Sequence, residues 1–272
     1  MEKKSNLWIG KSAWIVSLTL GCSHLTLEAS LPCFSTWNDR TKLDSCIALG
    51  ATIASIDKLE AMITSFVAKG TSAVVNQKLI IGYSFPIIFP ASCLKSTAAL
   101  EKLLADHNTD VCVETALGNT PMHAAAINSG ECLKLLINDG RLDINEHNNE
   151  GETPLYKAIE FDNAVAIEAI INADRFKVNS RDNLGRTMIH IAVIKCNKRV
   201  LNCCSDPDFK AKLAAINQEL KVNVEDDNGK TPADYLDDIK DLDAKKIMQG
   251  RLCALGAKYS NGDPVQDPNQ EA

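Results

Sequence analysis

Ten cysteines and five histidines are the side chains of this 272-residue sequence best suited to chemistry. Zinc ribbons and dithiol redox centres need Cys-x-x-Cys pairs, which bring two thiolates to one turn. No such pair occurs among Cys22, Cys33, Cys46, Cys93, Cys112, Cys132, Cys196, Cys203, Cys204 and Cys253. His190 would have to join Cys196, Cys203 and Cys204 in any metal site, at a spacing that follows no ligand pattern. Buried cysteines ordinarily act as small apolar side chains. Cys33 with a histidine is the one nucleophile–base option, and nothing local supports it. Cys33 and Cys46 are disulfide candidates if the chain is exported, and not in a reducing compartment. The sequence has no glycine-rich phosphate loop, nucleophile elbow or paired-carboxylate motif. No catalytic residue, metal or cofactor is expected.

The histidines are better read as structural. His123 and His190 each lie three residues after a threonine, Thr120 and Thr187, where a polar side chain can return to the helix start that the threonine caps. This context recurs. From Gly118 the chain reads GNTPMHAAAINSG, from Gly151 GETPLYKAIEFDN, from Gly185 GRTMIHIAVIKCN and from Gly229 GKTPADYLDDIKD, so the glycines are 33, 34 and 44 residues apart. Asn145, Asn179 and Asn223 each fall six residues before the next glycine, in the same phase. Thr153 and Thr231 complete the set of capping threonines, and Pro121, Pro154 and Pro232 follow at the first helical position, where a missing N–H costs nothing. Ala124, Ala125 and Ala126 make a first helix of small side chains. A second, apolar helix follows, with Cys132, Leu133, Leu135, Leu136 and Ile137 in one unit and Ile167, Ala169, Ile170 and Ile171 in the next. One such pair cannot bury its apolar faces, but stacked neighbours can.

These residues resemble the ankyrin repeat, whose signature is G-x-T-P-L-H-x-A with a later G-A-D-V-N. The likeness is strong over 118–258 and departs from the pattern at Tyr156, Met188 and Asp234. It implies an all-α solenoid of stacked antiparallel helix pairs with Leu136 and Ile170 between repeats. A weaker phase extends upstream. Cys112 lies six residues before Gly118, after a helix over 98–105, and Gly82-Tyr83-Ser84 echoes G-x-T with Asn76 six residues before it. We read five units over 82–258, an irregular helical cap over 30–81 with an apolar helix at 56–69, and a flexible polar tail over 259–272. The unit 185–228 carries 11 extra residues. Ser205, Asp206 and Pro207 read as the start of its second helix, so 196–204 lengthens the loop between helices, where insertions often serve binding.

The resemblance implies a function. Ankyrin stacks hold partner proteins with their turn tips and first helices. Carried over residue by residue, those positions are Ala116, Leu117, Asn119, Ile127 and Asn128, then His147, Asn149, Glu150, Glu152, Glu160 and Phe161. The next unit gives Arg181, Asn183, Leu184, Arg186, Ile194 and Lys195, and the last gives Glu225, Asp227, Asn228 and Lys230. Leu117, Ile127, Phe161, Leu184 and Ile194 are apolar at nominally exposed positions, the composition of a binding hot spot. Between Glu225 and Lys246 stand eight acidic residues and four lysines. They read as the polar outer face of a terminal unit, or as the docking face for a basic partner. Likeness to ankyrin proteins of bacteria that live inside host cells implies an effector acting on a host protein. The alternative is an exported, envelope-associated scaffold or stress-related binding protein. A monomer is expected.

Composition narrows the classes. Hydrophobic residues make up 45% and charged residues 24%, the balance of a folded protein. A net charge of -6 argues against a general nucleic-acid binder, and 5% aromatics offer no stacking platform for bases. No apolar run approaches the roughly 20 residues of a membrane span. Lys3, Lys4 and Lys11 precede an apolar stretch at 13–22, and Ala29 ends a stretch that fits a secretory signal. A packed amphipathic helix over 1–29 and a lipoprotein box at Thr19-Leu20-Gly21-Cys22 are the alternatives. A cleaved signal implies a secreted or periplasmic protein; an intact start implies a cytoplasmic or host-delivered one.

Overall fold

The computed structural model describes residues 14–20, 23–29, 78–81, 83–86, 88–93 and 97–269. Two antiparallel hairpins come first. β1 (Trp14–Leu20) pairs with β2 (Ser23–Ala29), Trp14 opposite Ala29, and β3 (Lys78–Ile81) pairs with β4 (Tyr83–Pro86), Leu79 opposite Phe85. Ile15, Val16 and Thr19 are β-branched, which suits extended pairing better than a helix. Over 14–20 and 23–29 the amphipathic-helix alternative is therefore corrected. So is the echo of G-x-T at 82–84, because Tyr83 and Ser84 are strand residues. Cys33, Cys46, Asn76 and the expected helix at 56–69 lie outside the described residues.

From residue 88 the chain is helical and repetitive. α1 (Ile88–Cys93) pairs with α2 (Ala98–Ala105), α3 (Pro121–Asn128) with α4 (Gly130–Asp139), and α5 (Pro154–Glu160) with α6 (Ala164–Ile171). α7 (Met188–Ile194) and α8 (Lys198–Ser205) form the fourth pair, followed by an extra helix, α9 (Pro207–Ala215). A 3-10 helix (Pro232–Asp238) and α10 (Leu242–Ala254) form the fifth. First helices pack in one row, from α1 through α3, α5 and α7 to the 3-10 helix; α2, α4 and α6 form a second row, and α8 packs on α10. Ala124, Ala125 and Ala126 are fully buried, which lets α3 lie between α1 and α5. Leu136 and Ile170 are also in the core.

The insertion differs from its sequence reading. Ser129, Asn163 and Asn197 cap α4, α6 and α8 by accepting the N–H groups of Cys132, Ala166 and Val200, and they recur every 34 residues. α8 thus starts on the regular spacing, and most of 196–204 is helix rather than lengthened loop. Asp206 and Pro207 do start a helix, but it is the third of that unit, with the Asp206 carboxylate accepting from Asp208 N at 2.9 Å. Phe209 and Leu213 bury, and Lys212 Nζ donates to Ile171 O at the end of α6.

Each repeat opens with a tight turn closed by a glycine N–H: Gly118 to Thr115 O, Gly151 to Asn148 O, Gly185 to Asp182 O and Gly229 to Asp226 O. Gly118 has φ +71, and a Cβ there would lie 2.6 Å from Asn149 Oδ1 of the next turn, so both backbone and packing demand glycine. Residues 259–269 are not a flexible tail. Lys258 pairs antiparallel with Pro264, Val265 N donates to Ala257 O, and the Val265 side chain is buried. That apolar anchor is what the polar composition of the segment conceals.

Candidate protein-binding surface

The binding positions rest on bonds between units. Thr120, Thr153, Thr187 and Thr231 are N-caps of the first helices. His123 Nδ1 accepts from Thr120 N at 3.1 Å, so Nε2 carries the proton and donates to Glu152 O of the next unit at 2.9 Å. His190 repeats this with Thr187 N and Lys230 O at 3.0 and 3.1 Å. Burial pushes the His123 imidazole down to about 4 and lowers that of His190. Tyr156 replaces histidine, and its single hydroxyl proton faces two carbonyls, Ser180 O at 2.5 Å and Arg186 O of the next unit at 2.7 Å. Asp234 accepts from Thr231 N and Oγ1 but has no proton to pass on.

The phased asparagines are pegs. Asn145 Oδ1 accepts from Lys177 N and its Nδ2 donates to Arg175 O, both at 2.8 Å. Asn179 grips Lys221 N and Glu219 O in the same way, and Asn223 grips Lys258 N and Gly256 O. Cys112 stands at the equivalent place one unit earlier with its thiol 4.0 Å from Arg141 O, a weaker joint. At the tips a backbone row runs from unit to unit: Asn149 N to Leu117 O, Asn183 N to Glu150 O and Asp227 N to Leu184 O, at 2.9, 3.1 and 3.0 Å. The Asn149 and Asn183 amides add bonds to Ala116 O and Asn149 O. The tips form one rigid edge.

Charges beside this edge are paired. Lys157 on α5, only 8% exposed, contacts Glu152, with Glu160 at 3.4 Å and Glu150 at 3.9 Å, and Lys195 reaches Glu160 at 2.8 Å. Burial pulls the Lys157 ammonium down, but Glu152, Glu160 and Glu150 outweigh it and hold the pKa above the usual lysine value. Burial likewise opposes ionisation of Glu152 and Glu160, and Lys157 and Lys195 reverse it. Arg186 pairs with Asp182 at 2.6 Å, and Lys230 lies 4.8 Å above the Tyr235 ring.

Of the residues assigned by resemblance, Ala116, His147, Asn149, Glu150, Phe161, Arg181, Asn183, Leu184, Lys195, Glu225, Asp227 and Asn228 are exposed. Leu117, Asn128, Glu152, Glu160, Arg186, Ile194 and Lys230 are half-buried. Two are corrected. Ile127 is 8% exposed, because it ends a helix enclosed between two neighbours, and Asn119 is 2% exposed and bonds Asn148 Nδ2 through Oδ1. Phe161 at 40% and Leu184 at 50% are the open large apolar members of the set. Sequence reasoning missed Lys157; its signal was one lysine among Glu150, Glu152 and Glu160. Among the described residues no three His, Cys, Asp or Glu side chains gather to hold a metal, and no helix is long and apolar enough to cross a membrane. Burial pushes the Cys204 thiol up to about 12, which favours its protonated form at neutral pH.

Comparison with known proteins agrees with this geometry. The family model described as Ankyrin repeats (3 copies) matches residues 88–182 and 131–212. No curated protein matches the sequence. The Gly-x-Thr-Pro turns at 118 and 151 and the first four helix pairs lie within the matched residues, and the chain carries ankyrin repeats over 88–212.

Proposed function

We propose that the chain is a non-enzymatic module that binds a partner protein through its turn tips and first-helix face. Ankyrin repeats are general protein–protein interaction modules. The observation that carries the reading is the exposure of Phe161 and Leu184 on a scaffold whose neighbouring tips are tied by backbone bonds. Rigid presentation lowers the entropy lost on binding. Changing both residues to Ala is expected to weaken the captured complex by at least about 2 kcal/mol while circular dichroism and melting temperature stay unchanged. Normal binding by that variant places the interface elsewhere, and unfolding assigns the two residues to the core.

An effector acting on a host protein is one finer form of this reading. The basic start and apolar stretch at 13–22 support an exported, envelope-associated scaffold instead. Intact-mass measurement of the mature protein separates them: a chain beginning at Met1 favours the effector, and one trimmed near Ala29 favours the scaffold.

A further inference from the structure

We propose that Asp234 ends the row of tips and converts residues 259–269 into a cap made from half a repeat. Gly262 lies 33 residues after Gly229, the spacing of the regular units, and has φ +88. Its turn is built like the others. Gly262 N donates to Tyr259 O and Tyr259 N to Asp263 O, both at 2.9 Å, the pair that Gly151 and Asn148 make with Asn148 O and Glu152 O. The repeat then stops. Pro264 stands two residues after the glycine, where the capping threonine would be, and it offers neither hydroxyl nor N–H. Instead of opening a helix, the chain pairs back through Lys258 and Pro264, and Val265 is 4% exposed. Gln249 Nε2 holds Gln266 O at 3.0 Å, and the Pro268 ring reaches the face of α10 at Gly250.

The tip of this half-repeat is out of line. Asn149, Asn183 and Asp227, each two residues before a turn glycine, give their N–H to the preceding tip. Ser260 occupies the same place before Gly262, but its N–H goes to the Asp234 carboxylate at 3.1 and 3.2 Å, and its hydroxyl follows at 3.2 Å. The cause is a change from donor to acceptor. His123 and His190 each donate to the carbonyl one residue past the next glycine, and the Tyr156 hydroxyl lies 2.7 Å from the equivalent Arg186 O. Asp234 sits at the same helix position and must take a proton, so it captures the tip N–H itself. The face of Gly229 is left open, with nothing within 4 Å of a Cβ placed there, whereas the face of Gly118 is filled by Asn149. The partner-facing row therefore ends at Asp227 and Asn228, while the helical end of the stack is closed.

Residue-resolved amide exchange on the full chain tests this. The Ser260 and Val265 amides are expected to be protected, and Asp234→Ala to cost the Val265 amide at least about tenfold in protection with Asn149 and Asn183 unchanged. Asp234→His keeps a cap on Thr231, as His123 and His190 do for their threonines, but supplies a donor. It is expected to release the Ser260 amide while Leu252 stays protected. Wild-type protection of Val265 in the alanine variant, or of Ser260 in the histidine variant, overturns the proposal. Loss spreading to Leu252 in the histidine variant overturns it too, since Asp234 would then serve only to cap its own helix.

Discussion

A single ring proton on His123 joins two units, and that gives the protein a pH signature. The imidazole is neutral in the fold with a pKa of about 4, against about 6.5 in an unfolded chain. The unfolded chain therefore takes the proton first as the medium is acidified. The stabilisation is complete above pH 6.5 and is lost as pH falls towards 4, at about 1.4 kcal/mol per unit, about 3 kcal/mol in all. His190 acts in the same direction. Urea titrations at pH 7 and pH 5 should show a loss of about 2 kcal/mol from His123 alone, which His123→Gln removes. A wild-type stability that is flat over this interval excludes a buried neutral ring. Asn145→Ala, which strands Lys177 N and Arg175 O, should cost about 1–3 kcal/mol in the same assay. The structural part of His123 was legible from its spacing to Thr120. Its bond to Glu152 O was not, because the partner lies 29 residues away and is backbone, which carries no sequence signal.

At the scale of elements, start signals decided how much could be read. Thr-Pro pairs announce α3, α5 and the 3-10 helix, and each forms where expected. The second helix of the long unit begins at Asn197, a residue equally at home in turns, while Pro207 ten residues later carries the louder signal. Both are helix starts; sequence could not say that one unit holds three helices. Ile127 shows the same limit. The resemblance implied exposure there, but enclosure by α1 and α5 depends on how closely alanines let those helices approach. Core positions were more secure, since apolar spacing reports directly on packing. Leu136→Ala and Ile170→Ala should each cost about 2–5 kcal/mol, read as a shift of the urea midpoint. A negligible shift at either would mean that its helix faces the other way.

The helix pairs described from residue 88 onward form a one-dimensional stack, so cooperativity along it passes through nearest-neighbour joints. The joint between 118–150 and 151–184 has Asn145 as its peg, His123 as its ring link and the tip bond from Asn183 N to Glu150 O. The next joint has Asn179, the Tyr156 hydroxyl beside Arg186 O and the tip bond from Asp227 N to Leu184 O. Gly151 lies against that Asn183 tip with φ +75, so a side chain there meets Asn183 and strains its own backbone at once. Gly151→Val should therefore weaken one joint without removing a core side chain. Native stacks should lose exchange protection in α3, α5, α7 and α10 together as urea rises. In the variant, α7 and α10 should open at lower urea than α3, because the unit that follows the damaged turn no longer leans on its predecessor. Parallel loss of protection in all four helices, at a lower but common midpoint, would mean that coupling runs through the helix rows and that the turn edge contributes presentation rather than cohesion.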